Sequence, residues 1–455
     1  MEMILEFLRD VLSQPALLIG IMSCVGLIAL KRPFHKIMTG TLKPILGYLM
    51  LAAGAGVIVS NLDPLGKMIE HGFHITGVVP NNEAIVAVAQ KVLGVETMSI
   101  LVVGLLMNLL IARFTKFKYV FLTGHHSLFM ACLMSAVLGT AGLSGIELIL
   151  VGGFLMGAWS AISPAIGQSY TSKVTDGDEI ALGHFGSLGY YLSAWVAKYV
   201  GKAKESTEDI EIPEKWGFLR DSTLSTALTM IVFYLIAAIA AGSEFVATLS
   251  GSMSPYLFAV MSAMNFAVGV AIVYSGVRMI LGDLIPAFQG IATKIIPNAI
   301  PAVDCAVFFT YAPTAVVLGF ISSFIGGIIG MLILGAVGGV LIIPGLVPHF
   351  FCGATAGIYG NATGGRRGAA VGAFLNGLAI TFLPALALPV LGQLGFQNTT
   401  FGDADFAVMG LVLGNAFEWI GMAGIYGVVV IAALVLIIPN FIKTKGKVIN
   451  YVEEE

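Results

Sequence analysis

Apolar runs of about 20 residues, the length that crosses a bilayer as a helix, constrain this chain more than any other feature. They recur from one end to the other, so the sequence predicts eleven membrane helices. We place these helices near residues 13–30, 44–60, 97–112, 120–139, 145–163, 223–242, 256–277, 305–325, 328–345, 369–391 and 420–440. The first run lacks a basic region and a cleavage site, so we expect a retained helix rather than a signal peptide.

The composition predicts the same fold class. The chain is 57% hydrophobic and 11% charged, whereas a soluble domain carries about 25% charged residues. We therefore predict an all-α polytopic membrane protein surrounded by lipid. No basic stretch indicates a nucleic-acid partner, and the four cysteines, which form no CxxC pair, are interpreted as structural thiols. Because no motif for nucleophilic catalysis, metal binding or phosphate binding is recognisable, we predict no catalytic residue, metal or cofactor.

Positive charges predict the orientation of the chain. Each cluster of Lys and Arg follows an odd-numbered predicted helix, from Lys31 and Arg32 after the first to Lys443 and Lys445 after the last. Since such clusters stay on the cytoplasmic side, we expect the N-terminus outside and the C-terminus inside. The polar run 201–215 is then a cytoplasmic contact surface for a soluble partner. Residues 84–94 are predicted to form an interfacial helix on the outer side.

Two stretches, 162–195 and 344–368, are too polar for simple spans and too apolar for simple loops. Each contains Pro, Gly, Tyr and a His–Phe pair. Non-helical backbone at membrane depth must be buried in protein or line a water-filled cavity, so we predict that both are re-entrant or hairpin elements. Their similar positions, after the fifth and ninth helices, suggest an internal repeat, and paired broken segments indicate a transport site.

Ionisable residues inside membrane segments are candidate functional groups because they are unfavourable there. His125 and His126 open the fourth helix and point about 100° apart, so His125 is the candidate ligand contact and His126 is expected to face elsewhere. The alternative for His125 is an interfacial polar residue. Asp304 is either a ligand acceptor or the N-cap of the following helix. His184 and His349 are each either buried structural residues or ligand contacts.

Several motifs, taken in order, resemble one family. They are "LKPILGYLMLAAGAGV" (42–57), "LTGH" (122–125), "VTDG" (174–177), "GH" (183–184), "IPAVDCA" (300–306), "YAPTAVVLGF" (311–320) and "LIIPGLVPHFF" (341–351). Together they are similar to the membrane component, IIC, of ascorbate-type phosphotransferase systems. The resemblance covers nearly the whole chain, which is expected to be a single IIC domain over 1–455 without a IIA or IIB domain.

This resemblance implies an eleven-helix homodimer in the bacterial inner membrane, with an inverted repeat. Each protomer would contain a V-motif dimerisation domain interleaved with a substrate-binding core domain that moves as an elevator. Such proteins carry L-ascorbate inward while a soluble IIB subunit phosphorylates it from a phosphocysteine. The phosphate reaches IIB from phosphoenolpyruvate through enzyme I, HPr and a IIA subunit. The IIC chain itself is not phosphorylated.

The resemblance also places the ligand contacts. His125, His184 and Asp304 match contact positions, whereas Phe129 and Phe185 stand where ascorbate-type members usually carry Gln. The outer end of the third helix diverges as well. The candidate substrate-binding residues are therefore His125, Phe129, His184, Phe185, Asp304, Thr97 and Glu96. Because lost amides change which hydroxyls a site can bind, the expected substrate is L-ascorbate or a related sugar acid, sugar or polyol.

Two other function classes remain open from the sequence. The first is an ion-coupled secondary transporter in which Asp304 carries the coupling proton. The second is a non-transporting membrane enzyme or scaffold, which is disfavoured because no catalytic constellation is recognisable.

Overall fold

The computed structural model of this chain describes residues 11, 14–74, 77–80, 82–210, 222–392 and 399–441. Most of these residues are helical. The helices, in chain order, are α1 (Pro15–Ala29), α2 (Phe34–Phe73), α3 (Asn82–Phe114), α4 (Gly124–Thr140), α5 (Gly145–Thr175), α6 (Ser187–Val200), α7 (Ser222–Ala241), α8 (Ser243–Ser250), α9 (Pro255–Lys294), α10 (Pro313–Ala336), α11 (Leu346–Gly392), α12 (Ala404–Ile420) and α13 (Met422–Phe441).

Short strands connect several of the helices. They are β1 (Val79–Pro80), β2 (Tyr119–Phe121), β3 (Ala181–Leu182), β4 (Ile300–Val303) and β5 (Thr399–Thr400). All the pairings are parallel: β4 lies between β2 and β3 in one sheet, and β1 pairs with β5 in another. These sheets give hydrogen-bond partners to backbone that is not helical, which is required inside a membrane protein.

Within the described part of the chain, seven helices are long and apolar enough to cross a membrane. They are Phe34–Phe73, Val95–Phe114, Gly145–Thr175, Pro255–Leu284, Pro313–Ala336, Leu346–Pro389 and Met422–Phe441. An eighth span results if α7 and α8, which meet at a bend of 117°, are taken as one. The predicted all-α polytopic membrane fold is confirmed, and the count of eleven spans stays a prediction.

The helices pack as two groups. The scaffold bundle consists of α1, α2, α7, α8 and α9, and the site bundle consists of the other helices with the strands. In the scaffold bundle α2 and α9, each 40 residues long, run antiparallel: Gly47 faces Gly276, and Gly54 faces Gly269. A Cβ on Gly276 would lie 2.5 Å from the Gly47 carbonyl oxygen. Small residues therefore bring these backbones into contact, as is typical of membrane helix pairs.

The site bundle contains helices that are broken or short. Its longest element, α11, is interrupted at Gly365, whose φ of 61° and ψ of −157° lie outside the helical region. Both of its arms pack on α10, because Gly353 and Gly377 each lie against Ser323, and α11 also packs along α6. The backbone of Gly365 lies against the carbonyl oxygens of Lys202 and Glu205, where a Cβ would approach to 2.3 Å. This break lets the loop after α6 pack directly on the bend.

Two predicted helices are wrong. The sequence analysis placed separate helices at 305–325 and 328–345, but the structure has a short 3₁₀ turn at Cys305–Thr310 and then the single helix α10. Pro313 lies in the first turn of α10, as favoured for proline, and Gly338 follows its end with a φ of 71°. Because the apolar run continues past both ends of α10, hydropathy did not mark the boundaries.

The polar stretches are mainly helical, and their re-entrant or hairpin form stays a prediction. Residues 162–195 hold the end of α5, then β3, then half of α6, and 344–368 is mainly the first arm of α11. Residues 84–94 are the start of the long helix α3 rather than a separate interfacial helix. Helix α12 was missed altogether. Residues 211–215 of the predicted partner surface, and Lys443 and Lys445, lie outside the described residues.

Candidate functional site

The ends of three parallel strands bring the main candidate residues together. His125 follows β2 after three residues, His184 follows β3 after Gly183, and Asp304 directly follows β4. Because the carboxyl ends of parallel strands meet at one edge of a sheet, these side chains converge. The Gly183 amide donates to the Val303 carbonyl at 2.7 Å, and a Cβ on Gly183 would lie 2.4 Å from the Ala302 carbonyl oxygen. Glycine at this position allows the close approach.

Asp304 combines the two roles that the sequence left open. Its Oδ1 accepts a hydrogen bond from the Ala306 amide at 3.0 Å, so it caps the 3₁₀ turn. Its Oδ2 lies 3.4 Å from Nε2 of His125. The residue is only 7% exposed, and it contributes to the wall of a cavity. One oxygen therefore holds the backbone, and the other is directed toward a histidine at the cavity.

The three histidines of the site lie in contact. The His125 ring centroid is 4.8 Å from that of His126, and the His126 ring centroid is 3.8 Å from that of His184. His125 Nδ1 lies 3.3 Å from the Tyr48 hydroxyl. The prediction that His126 faces elsewhere is wrong, because it lines the same cavity as its neighbour. The cavity meets the first turn of α4, where two side chains about 100° apart can both reach it.

Backbone hydrogen bonds fix the protonation of two of these rings. His126 Nδ1 accepts from the Phe185 amide at 3.3 Å, and His184 Nδ1 accepts from the Gly186 amide at 3.1 Å. A backbone amide can only donate, so each Nδ1 must be an unprotonated acceptor. This assignment follows from the network, as tautomers must be inferred from partners. Both rings are therefore neutral and carry their proton on Nε2.

A cavity of about 1170 Å³ lies between the two bundles. We call the part lined by Tyr48, His125, His126, His184, Asp304 and Asp403 the inner end, where every residue but the 37% exposed His125 is buried. We call the part lined by Asp63, Lys67 and Glu70 of α2 the mouth. Lys67 pairs with Asp63 at 2.8 Å, and both side chains are more than half exposed, at 52% and 62%. The cavity thus leads from exposed charges to a buried polar site.

The structure brings four of the seven candidate residues to this cavity. Phe129 lines it beside His125, His184 and Asp304, with its ring edge-to-face to that of His125 at 5.8 Å. Phe185 is fully buried behind the site, where it stacks on Phe121 at 4.6 Å. It lies outside the cavity lining.

The other two candidates also lie outside the lining. Thr97 is buried and shares a hydrogen bond of 2.7 Å with Ser135, and Glu96 is its half-buried neighbour in α3. His349 is a packing residue: it is 2% exposed, bonds to Ser323 at 2.9 Å, and lies against Gly327.

Sequence reasoning missed two residues of the inner end. Asp403 follows β5 and is 5% exposed. Its Oδ2 accepts from Asn82 Nδ2 at 2.5 Å, and its Oδ1 accepts from the Cys352 thiol at 2.8 Å. The signal available in the sequence was a pair of aspartates in "FGDAD" (401–405), within an otherwise apolar region. Tyr48 lies within an apolar helix and has no comparable signal.

Cys305 extends the polar cluster. Together, His184, Asp304 and Cys305 offer ligand atoms that all lie within 4.8 Å of one another, a group that could hold a metal ion. Imidazole, carboxylate and thiolate are ligands that Zn²⁺ accepts. The same inner end also offers carboxylate acceptors, imidazole donors and an aromatic ring. Such a set fits a hydroxyl-bearing ligand.

The family comparison covers both the cavity and its inner end. The family described as PTS system sugar-specific permease component, EIIC-GAT, matches residues 10–405. A similar protein is the ascorbate-specific PTS system EIIC component of Mycoplasma pneumoniae, which is 26% identical over 417 residues. That similarity covers 78% of this chain and 62% of the relative, so less than two thirds of the relative is matched. With its apolar spans, this multi-pass membrane protein belongs to the family of sugar-specific permease components of the phosphotransferase system.

Proposed function

We propose that this chain is the IIC permease of a phosphoenolpyruvate-dependent phosphotransferase system. It takes up L-ascorbate or a related sugar acid, sugar or polyol, and a separate IIB subunit phosphorylates the substrate. The observation that carries the proposal is the cavity whose inner end holds His125, His184 and Asp304 in a chain of this family. A hydroxyl-rich substrate can donate to Asp304 and accept from the imidazole N–H groups.

Transport follows an elevator mechanism in this proposal. The division into two bundles supports it, because His125, His184, Asp304 and Asp403 all belong to the site bundle, and Tyr48 belongs to the scaffold bundle. Substrate reaches the inner end through the mouth, and the site bundle then carries it across. The scaffold bundle corresponds to the V-motif and forms the homodimer. Its two antiparallel helices of 40 residues, α2 and α9, are the elements expected of an inverted repeat.

Phosphorylation takes place on the cytoplasmic side. A hydroxyl oxygen of the substrate attacks the phosphorus of the IIB phosphocysteine, the P–O bond forms, the P–S bond breaks, and the hydroxyl proton is released. The thiolate left on IIB is rephosphorylated by IIA, which is supplied through HPr and enzyme I. The charged product does not return, because a phosphate is strongly disfavoured in an apolar pathway. This chain, with its N-terminus outside and C-terminus inside the bacterial inner membrane, contributes binding and movement.

An ion-coupled secondary transporter is the second candidate function. The 3.4 Å contact between Asp304 Oδ2 and His125 Nε2 favours it, since a carboxylate–imidazole pair can take up and release a proton. The two functions differ in the chemical form of the solute that accumulates.

Uptake of radiolabelled compounds separates the two candidates. We would express the chain in a bacterial host lacking its own system, with and without the IIB subunit, and supply L-ascorbate, pentitols and hexitols. The proposal expects accumulation only with IIB and only as a phosphate ester. Accumulation of unmodified solute without IIB would overturn it in favour of ion coupling. The control variant is Asp283→Asn. The Asp283 carboxylate pairs with Lys43 at 3.4 Å, and Asp283 does not line the cavity.

A further inference from the structure

The two aspartates of "FGDAD" (401–405) have different surroundings. Asp403 lines the cavity, and Asp405 does not. Asp405 lies in the first turn of α12 and is fully buried. A buried carboxylate in a membrane protein is unfavourable unless polar groups surround it. The partners of Asp405 therefore indicate what this residue does.

Three hydrogen bonds reach the Asp405 carboxylate from two other helices. Its Oδ1 accepts from the Leu188 amide at 2.9 Å, and its Oδ2 accepts from the Ser187 hydroxyl at 2.7 Å. Oδ2 also accepts from Nε1 of Trp159, in α5, at 3.2 Å. Because Ser187 and Leu188 are the first residues of α6, two of these bonds hold the start of that helix.

The start of α6 needs a partner from elsewhere in the chain. The first N–H groups of a helix have no acceptor within it, and a polar side chain at the N-cap usually accepts from one of them. The N-cap of α6 is Gly186, which has no side chain. Asp405 supplies the missing acceptor from 217 positions away. The carboxylate of α12 is therefore the cap of α6.

The segment held by Asp405 also holds two histidines of the inner end. The Asp405 amide donates to the Phe185 carbonyl at 2.9 Å, and the Phe185 amide donates to His126 Nδ1 at 3.3 Å. One residue further, the Gly186 amide donates to His184 Nδ1 at 3.1 Å. This short backbone segment thus contacts Asp405 on one side and two rings of the cavity wall on the other.

We propose that Asp405 is a positioning residue for the substrate site. It fixes the segment 184–188, and the backbone amides of that segment fix the orientation of the His126 and His184 rings. The inference rests on the proposed transport function, since it assigns a role at the same site. It applies to any ligand that forms hydrogen bonds with these rings, because such a ligand requires them to be held in place by their surroundings.

Trp159 provides an internal comparison. Its indole N–H and the Ser187 hydroxyl donate to the same oxygen of Asp405, but Trp159 lies outside the segment that carries His184. If Asp405 served packing alone, the loss of either bond would lower stability and leave substrate affinity unchanged. If Asp405 positions the histidines, the loss of the Ser187 bond weakens substrate binding and the loss of the Trp159 bond does not.

Ligand binding to the purified full-length chain in nanodiscs tests the inference. The probe is whichever of L-ascorbate, galactitol and D-arabitol the parent binds most tightly, and titrations are done well below the unfolding midpoint of each variant. Asp405→Ala should weaken binding about tenfold or more, and Ser187→Ala about threefold. Trp159→Phe is the matched control and should stay within about twofold of the parent. All three variants should lower the unfolding midpoint, because each removes hydrogen bonds from a buried group.

A conservative variant should restore the site. In Asp405→Asn, Oδ1 can still accept from the Leu188 amide and Nδ2 can donate to the Ser187 hydroxyl oxygen, whereas the Trp159 N–H loses its acceptor. We therefore expect this variant to regain most of the affinity lost in Asp405→Ala. Parental affinity in both Asp405→Ala and Ser187→Ala would overturn the inference. So would equal losses in Ser187→Ala and Trp159→Phe, or an Asn variant that binds no more tightly than the Ala variant.

Hydrogen exchange gives a second measurement that needs no ligand. Backbone amides in a peptide covering 183–190 should exchange faster in Asp405→Ala and Ser187→Ala than in the parent, and at the parental rate in Trp159→Phe. Peptides from α2 and α9 should exchange at the parental rate in all three. Ser187→Ala carries the test if Asp405→Ala does not fold. Exchange alone decides if no probe binds, and parental exchange of 183–190 in the variants that fold would contradict the positioning role.

This inference and the transport proposal can fail separately. Binding and exchange are measured on the chain alone, without IIB or any phosphoryl donor, so neither depends on group translocation. Uptake of unmodified solute without IIB, together with the expected effects of Asp405→Ala, would overturn group translocation alone. Uptake that still requires IIB, together with parental binding and exchange in Asp405→Ala, would overturn the positioning role alone.

Discussion

The scaffold bundle and the site bundle both use glycine to bring helices together, and the site bundle also contains the strand ends that carry the candidate site residues. In the scaffold bundle, α2 and α9 continue for 40 residues each, although Pro44 and Pro64 lie inside the first and Pro286 inside the second. Their glycines serve contact between helices. In the site bundle, Gly319 and Gly357 bring α10 and α11 together in the same way, and Gly365 and Gly183 also serve breaks and close approaches where the chain leaves a helix or strand.

This difference explains where the polar groups lie. A continuous helix satisfies its own backbone, so it can face lipid but offers few directed polar groups. Where the helix stops, the backbone needs new partners, and the two parallel sheets supply them. The residues that follow the strand ends, including His184, Asp304 and Asp403, are then held by a hydrogen-bonded frame. Most of the candidate site residues therefore lie in the bundle that contains the strand ends.

The largest expected effect is a loss of substrate affinity in the site bundle without a loss of folding. Asp304→Asn should weaken substrate binding by about 100-fold, or about 3 kcal/mol, because the charged acceptor at the cavity is lost. Folding should be retained, since Asn Oδ1 can still accept from the Ala306 amide, and Asn caps as well as Asp. Ligand titration and thermal unfolding in nanodiscs measure the two effects. Unchanged affinity in this variant would remove Asp304 from the site.

The second largest effect is a loss of stability in the scaffold bundle, with substrate affinity unchanged. Gly276→Ala in α9 places a Cβ 2.5 Å from the Gly47 carbonyl oxygen and 2.6 Å from the Leu51 amide nitrogen. Such overpacking against backbone should destabilise the protein by about 1–3 kcal/mol. The matched control is Gly282→Ala in the same helix, where no atom lies within 4 Å of the added Cβ.

Thermal unfolding should show a lower midpoint for Gly276→Ala and an equal or higher one for Gly282→Ala, since Ala favours helix. Substrate affinity of the folded fraction should be the same in both. A changed affinity in Gly276→Ala at unchanged stability would mean that the contact between α2 and α9 shapes the site. The two bundles would then not act as separate units.

The sequence carried a signal for some of the residues that line the cavity and none for others. His125 and Asp304 could be found because an ionisable residue in an apolar segment is itself a signal, independent of tertiary structure. Asp403 carried the same kind of signal and was overlooked, and its position beside the other two could not be foreseen, because its partner Asn82 is 321 positions away and the two strands that join them are each two residues long. The limits of α10 were missed because the turn at Gly338, rather than a change in hydropathy, follows the end of that helix at Ala336.

The glycine contacts between α2 and α9 in the scaffold bundle could not be predicted either. The chain has 56 glycines, and the sequence alone does not say which of them oppose one another. The pairs Gly47–Gly276 and Gly54–Gly269 become apparent only when the antiparallel register of α2 and α9 is known. The periodicity of residues within one helix predicts which face of that helix packs. Which helix it packs against depends on the tertiary structure.

The smallest expected effect concerns a single ring at the boundary between the cavity and the packed core. Phe129→Gln replaces an aromatic side chain beside His125 with an amide that can donate and accept. We expect affinity for L-ascorbate to rise by about 2- to 10-fold, the range of one added hydrogen bond. The gain stays small because a single hydrogen-bonding group is added. Phe129→Leu is the control, since it removes the ring without adding a polar group. If Gln and Leu at this position gave the same affinity for ascorbate, the added amide would make no hydrogen bond to the ligand, and Phe129 would act only through packing.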